Sequence, residues 1–260
     1  MTAPTSTFTP APGAAPAVRM VRAQARIESR LMLRNGEQLL LAVVIPLIVL
    51  IGGILAARHV NLHLGHPAAD ALTPGVLALA IMSTSFTSLA IATGFERRYG
   101  VLKRLGSSPL PRSGLLAGKV GALLMVEVLQ IVVIGCAALL IGWRPTVTVP
   151  GVVGALLCLL VGTAAFASWG LFLAGVLRAE ATLAAANLVY LLLLAGGAVV
   201  LPSHSYGGAG HALALLPSGA LGNGLRSAFL GGTLPFVQVG VLVGWAVVGT
   251  ALTARTFTWE

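Results

Sequence analysis

Glu127 is the residue whose surroundings most strongly suggest chemistry, because it interrupts an otherwise uncharged apolar run over 120–143. A carboxylate among apolar residues is costly to ionise, so it must face an interior, a cavity or a partner. Gln130 follows three residues later and would share its helix face. Two interpretations stay open: a cavity that attracts cationic amphiphiles, or a hydrogen-bonded contact between helices. The other polar candidates for such a cavity, at comparable depth in later apolar runs, are Ser168, Trp169, Asn187 and Tyr190.

Two histidine-containing segments are the remaining candidates for chemistry. Three histidines are spaced by four and three residues, as metal ligands on one helix face would be: His59, His63 and His66. Only Asp70 is a nearby carboxylate and Pro67 ends the segment, so we expect no metal site. Ser203-His-Ser205 contains a hydroxyl beside an imidazole, but no orienting acid is identifiable, and we expect a polar turn.

The amino-acid composition indicates whether the protein is soluble, disordered or embedded in a membrane. Of the 260 residues, 57% are hydrophobic and 9% are charged, and the mean hydropathy is +0.95. Soluble domains have about a quarter charged residues, so this chain could not cover a soluble globule. Disorder is excluded for the opposite reason, because the chain is too apolar to stay solvated. The two cysteines lie in apolar stretches and offer no disulfide framework. The sequence therefore predicts an integral membrane protein.

Apolar runs of crossing length predict an all-α fold with six transmembrane helices, because about twenty apolar residues span the hydrocarbon core. The predicted spans form a single domain over 38–255 and cover 38–57, 73–94, 120–142, 151–176, 182–201 and 234–254. The long uncharged run over 181–225 supplies only one of them. Its second part is broken by turn formers around Pro202 and by Pro217, so we expect a re-entrant segment on the outer side.

The positive charges predict the orientation. All but three of the sixteen Lys and Arg fall on the side of the termini, the exceptions being Arg58, Arg144 and Arg226. The positive-inside rule then places both termini of this multi-pass membrane protein in the cytoplasm. Residues 1–17 are predicted to be a disordered tail, and 18–37 an amphipathic interfacial helix on an anionic inner leaflet. A generic positive anchor explains the arginines of that helix equally well.

The loop after the second span, Glu96-Arg-Arg-Tyr-Gly-Val-Leu-Lys-Arg-Leu105, has a small apolar stripe at helical spacing among basic residues. Prolines at 109 and 111 would end this helix. A short helix joined to two spans could transmit force between membrane and cytoplasm. The alternative is a basic loop that only sets topology.

This loop resembles the one in the permease subunit of type-2 ABC transporters, and most nearly that of actinobacterial daunorubicin-resistance-like permeases. The segment 216–226 is similar to the outer re-entrant segment of that family. Arg98, Val101 and Lys103 depart from the pattern and make the loop unusually basic. The positions that match the family pattern are Glu96, Arg97, Gly100, Leu102, Leu105, Ser108, Pro109, Leu110 and Lys119.

The resemblance implies that the loop is a cytoplasmic coupling helix, which docks on a separate ATP-binding subunit. The implied coupling residues are Glu96, Arg97, Arg98, Tyr99, Gly100, Leu102, Leu105, Pro109 and, in a smaller contact, Arg178. Substitution of Gly100 or Leu102 would then abolish transport without removing the protein from the membrane. Gly118-Lys119 is followed by Val120 and lacks the earlier glycine of a phosphate loop, so this chain is not expected to be an enzyme.

The expected assembly contains two ATP-binding subunits, which would bind ATP and Mg, a second identical or related permease subunit, and membrane lipid. No cofactor, metal or nucleic acid is expected on this chain. The cargo would be a hydrophobic drug, antibiotic or lipid exported by alternating access. Two rivals remain: a proton-coupled secondary transporter that uses Glu127, and a non-transporting membrane scaffold.

Overall fold

The computed structural model describes residues 15–34, 36–60, 65–106 and 111–256, and within these ranges every regular element is helical. Six helices are long and apolar enough to cross a membrane, which confirms the predicted all-α, six-span fold class. Their bounds are Gly36–His59 (α2), Ala68–Arg98 (α3), Arg112–Ile141 (α5), Val149–Val176 (α6), Ala179–Gly196 (α7) and Phe236–Thr256 (α10).

Four shorter helices complete the described part of the chain. They are Ala17–Arg34 (α1), Val101–Gly106 (α4), Gly210–Ala214 (α8) and Pro217–Phe229 (α9). A 3-10 helix over Ser203–Ala209 precedes α8. The first fourteen residues of the predicted tail, His63 and Pro109 lie outside the described residues. We call the end of the bundle that carries α1 and α4 the α4 end.

Helix α3 forms the centre of the bundle. Its residues from Ala69 to Met82 are all buried, and α2, α5, α6, α7 and α9 pack around it. The other candidate spans are at least as apolar or nearly so but are much less buried, so the enclosure of α3 reflects its central position in the bundle. The helix continues through a π-helical segment, Ser83–Ser88, in which the Ser85 hydroxyl donates to the Ile81 carbonyl at 2.6 Å. Its last turn ends at Arg98, directly before α4, so the most buried span leads into the predicted coupling segment.

The segment before the last span forms α9, which packs against α3, α6 and α10. Arg226 of α9 is only 7% exposed, and its guanidinium donates to main-chain carbonyls of two other segments. The acceptors are Ala71 at 3.2 Å, Val199 at 2.9 Å and Val200. One side chain therefore joins α9 to the start of α3 and to the turn that follows α7.

Candidate functional site

Helix α4 is attached to α3 by a two-residue turn at Tyr99 and Gly100. Gly100 has a φ of +68°, a left-handed backbone conformation that a residue with a Cβ adopts only with strain. Space is not the constraint, because a Cβ at Gly100 would meet no atom within 4 Å. The turn sets the direction in which α4 leaves the bundle. Gly100 therefore has a backbone role in this geometry.

Lys119 of α5 is held between two carboxylates at the α4 end. Its ammonium lies 2.8 and 2.7 Å from the two oxygens of Glu96 and 3.0 Å from Glu28 of α1. The Lys119 side chain is only 4% exposed, so these contacts are largely shielded from solvent. Gln24 also donates to Glu28, with its Nε2 at 2.8 Å from Oε1, the same oxygen that Lys119 contacts. This cluster, Gln24–Glu28–Lys119–Glu96, links α1, α5 and α3.

Arg97 reaches the C-terminus of α6. Its guanidinium donates to the carbonyls of Ala174 at 2.9 Å, of Gly175, and of Leu177 at 3.4 Å. The last carbonyls of a helix have no partner within that helix, and a cation there also complements the helix dipole. Arg97 therefore fixes the end of α3 to the end of α6.

Arg98 points to the start of α7, where it forms an ion pair with Glu180. Both side chains are well exposed, so the pair contributes orientation more than stability. Arg98 also lies over the ring of Tyr99, 5.8 Å from its centroid. Arg178 is exposed beside this pair. Together these residues border an open cavity of about 470 Å³, lined by Gly94, Arg97, Arg98, Arg178, Ala179 and Glu180.

Three consecutive residues thus join the base of α4 to three different spans. Glu96 contacts α5, Arg97 contacts α6, and Arg98 contacts α7. The contacts of Glu96 and Arg97 are partly buried, whereas the Arg98 pair is exposed and weaker. The arrangement is suited to transmitting movement from α4 into the bundle.

The remaining predicted coupling residues divide into inward and outward groups. Leu102 is completely buried within the chain, and Leu105 is half-buried. Tyr99 is 66% exposed, and Val101 and Lys103 are exposed as well. The face of α4 that is available to a partner therefore includes Val101, which the sequence reasoning did not select. Glu28 was also missed, although it is the one acidic residue of α1.

Glu127 and Gln130 lie inside the bundle with no exposed surface. The Thr163 hydroxyl of α6 donates to Glu127 Oε2 at 2.6 Å, and the other oxygen, Oε1, has no hydrogen-bond partner. The Gln130 amide donates to the Ala42 carbonyl of α2 at 2.8 Å and accepts from Thr84 of α3 at 3.0 Å. These two side chains join α5 to its neighbours.

The other four cavity candidates face different surroundings. Ser168 and Trp169 face α10, where Thr253 donates to the Ser168 carbonyl at 2.7 Å and the Trp169 indole donates to the Trp245 carbonyl at 3.1 Å. Tyr190 hydrogen-bonds with Ser83 of α3, and Asn187 is exposed on α7. The six residues therefore do not meet around one cavity.

An apolar groove of about 550 Å³ lies between α2 and the end of α7. Tyr206 supplies the one polar side chain of its lining. We call it the α2–α7 groove. Its other lining residues include Ile48, Gly52, Gly53, Leu72, Leu194 and Leu201. No group of three metal-ligating side chains occurs among the residues that the structure describes.

A family model described as ABC-2 type transporter matches residues 19–253. Since this match covers most of the chain, the protein belongs to the ABC-2 type transporter membrane family, whose members are permease subunits of ABC transporters. Such permeases generally work with an ATP-binding subunit. No curated protein and no solved structure matches the chain. The narrower resemblance to daunorubicin-resistance permeases stays a prediction.

Proposed function

We propose that this permease exports a hydrophobic drug, antibiotic or lipid-like substrate across a bacterial plasma membrane, driven by a separate ATP-binding subunit. The observation that carries the proposal is the base of α4, where Glu96, Arg97 and Arg98 connect to α5, α6 and α7. Movement imposed on α4 would reach three spans at once. ATP and Mg would be bound by the partner, since this sequence has no phosphate loop.

The docking surface for that partner is the outward face of α4 together with the neighbouring basic cavity. Tyr99 and Val101 give it apolar area, and Lys103 and Arg178 give it positive charge. A groove of matching shape with acidic residues at its rim would complement it. Two such subunits per transporter, one for each permease, would let ATP binding draw the two α4 helices together.

The α2–α7 groove supports a second permease subunit, identical or related, as part of the assembly. In a single chain this groove opens on the side of the bundle, and a second copy across it would enclose the space. Its lining is apolar apart from Tyr206, which suits a hydrophobic cargo. Alternating access would expose the enclosed space first to one side of the membrane and then to the other.

The orientation in this proposal follows the positive-inside rule. Arg97, Arg98, Lys103 and Lys119 all lie at the α4 end, as do the arginines of α1. Cytoplasmic loops carry such an excess of Lys and Arg. Both termini would therefore lie in the cytoplasm, on the side where the ATP-binding subunits have access to ATP.

Substitution of Val101 by Asp is expected to reduce co-purification of the ATP-binding subunit and ATP-dependent export by at least about tenfold, because an unpaired carboxylate in an apolar contact costs about 2 kcal/mol or more. Val101 is exposed in the free chain, so folding should be unchanged. Val147→Asp is the matched control, since Val147 is exposed in the connection between α5 and α6. Wild-type export by the Val101 variant would contradict the proposed docking surface.

Substitution of Gly52 by Phe is expected to lower export of bulky substrates several-fold while the protein remains folded. Gly52 lines the α2–α7 groove, and a Cβ there meets no atom within 4 Å, so the ring would occupy groove volume. Gly240→Phe on α10 is the matched control, because that position is equally open and lies outside the groove. Equal export by both variants and the wild type would remove the groove from the transport route.

The energy source is tested separately. Export is measured in cells after ATP depletion and, separately, after collapse of the proton gradient. Loss of export in the first case and normal export in the second would support the proposal. The reverse result would favour the proton-coupled rival that uses Glu127. Partner binding without any substrate movement in reconstituted vesicles would favour the scaffold.

A further inference from the structure

Helix α1 presents three distinct faces, and only one of them is covered by protein. The covered face packs on α5, where Gly118 allows very close approach: a Cβ there would lie 2.7 Å from Gln24 Cγ. A second face exposes Ile27 and Leu31. The third face carries five exposed arginines at spacings of three or four: Arg19, Arg22, Arg26, Arg30 and Arg34.

The depth of α1 follows from the length of α5. That helix has 30 residues and is about 45 Å long at about 1.5 Å per residue. The hydrocarbon core is about 30 Å thick, so about ten residues of α5 extend beyond it. If they extend at the α4 end, Gly118 lies close to the boundary between acyl chains and headgroups, and α1 lies there with it. The exposed Ile27 and Leu31 would then contact acyl chains and the arginines would contact headgroups.

We propose that the arginine face of α1 binds anionic phospholipid headgroups, and that this binding controls the position of α4 through the Gln24–Glu28–Lys119–Glu96 cluster. The connection is direct, because Glu28 of α1 and Glu96 both contact the Lys119 ammonium. Glu96 in turn lies in the last turn of α3, just before α4. Headgroup phosphates match five guanidinium groups in charge and hydrogen-bonding geometry. Anionic lipid thereby holds α1, and α1 holds the base of α4.

This inference names a ligand that the proposed function does not require, although its consequence for coupling rests on that function. Lipid binding itself is measurable on the full-length chain without an ATP-binding subunit. A failure of lipid binding and a failure of coupling can therefore be distinguished.

The binding test compares full-length protein in nanodiscs of phosphatidylcholine with protein in nanodiscs in which phosphatidylglycerol replaces a third of the lipid. After the protein is extracted from the mixed nanodiscs, the wild type is expected to retain a larger fraction of phosphatidylglycerol than the nanodisc lipid contains. Each arginine near an anionic surface is worth about fivefold, so replacing Arg22, Arg26 and Arg30 with Gln should lower this preference by at least about tenfold. The matched control removes three exposed arginines at the ends of spans, Arg58, Arg144 and Arg255, and the α1 variant is expected to lose clearly more of the preference than this control.

The transmission test measures amide hydrogen exchange in the same nanodiscs. In the wild type, phosphatidylglycerol is expected to slow exchange both in α1 and over 96–106. Glu28→Ala leaves Lys119 and Glu96 as a balanced pair, so it should keep the effect in α1 and lose it over 96–106.

Three results would overturn the proposal. The first is equal retention of phosphatidylglycerol by the wild type and the α1 variant. The second is a lipid effect that stays within α1 in the wild type. The third is an α1 variant that keeps its lipid but loses the ATP-binding subunit, which would make the arginine face a protein contact.

Discussion

Substitution of Arg226 by Ala is expected to destabilise the protein by about 3 kcal/mol or more, because hydrogen bonds from charged donors are worth about 1.5–3 kcal/mol each. The variant would leave the carbonyls of Ala71, Val199 and Val200 without this donor in a buried site. The start of α3, the turn after α7 and α9 would then lose their common contact. Thermal unfolding in detergent, followed by tryptophan fluorescence, measures the effect as a lowered midpoint.

Two further variants separate the geometry of Arg226 from its charge. Arg226→Lys keeps the charge but loses the planar fork that serves several carbonyls, so its midpoint should fall between those of the wild type and the alanine variant. Arg58→Ala is the matched control, because Arg58 is an exposed arginine at the opposite end from α4. An alanine variant at 226 that unfolds at the wild-type temperature would show that these hydrogen bonds contribute no net stability.

The number of spans was predictable from the sequence, because crossing a membrane imposes a length and a composition on each segment. The interruption before the last span was predictable for a related reason, since turn formers around Pro202 end the apolar run and a short separate helix begins at Pro217. The partners of Arg226 were not predictable. They are main-chain carbonyls, which leave no signature in the residue types.

The helix α4, which we propose couples to the ATP-binding subunit, was located from its motif, but the direction of its side chains could not be predicted. Helix α4 has six residues, so its small apolar stripe is too short to show which of the apolar residues is buried. Leu102 and Val101 are adjacent and similar in hydrophobicity, yet the structure buries the first and exposes the second. The cavity candidates lie apart in this chain for a different reason, because equal depth in different spans does not fix the rotation of each helix about its axis.

Contacts between residues far apart in the sequence were the main feature that could not be predicted. Glu28 and Lys119 are far apart in sequence, and their contact depends on how α1 packs against α5. Gln130 likewise reaches the Ala42 carbonyl of α2. The only local signal was the isolated acid among the arginines of α1.

Substitution of Lys119 by Met is expected to cost about 3–5 kcal/mol, the usual effect of removing one partner from a buried ionic group. Glu28 and Glu96 would then face each other without the cation that both now contact. Their repulsion would separate α1 from the end of α3. ATP-dependent export should therefore fall together with the unfolding midpoint, and Lys119→Arg should retain most of both because it keeps the charge.

A double-mutant cycle tests whether repulsion is the cause. Adding Glu28→Gln to the Met variant removes one of the two facing charges, so the double variant should be more stable than Lys119→Met alone by about 1 kcal/mol or more. Glu28→Gln in the wild-type background should be mildly destabilising, because it weakens one contact to Lys119. Effects that add to within about 0.5 kcal/mol would mean that the two residues are energetically independent. In that case α1 would be held by its close packing at Gly118, and Lys119 would act through Glu96 alone.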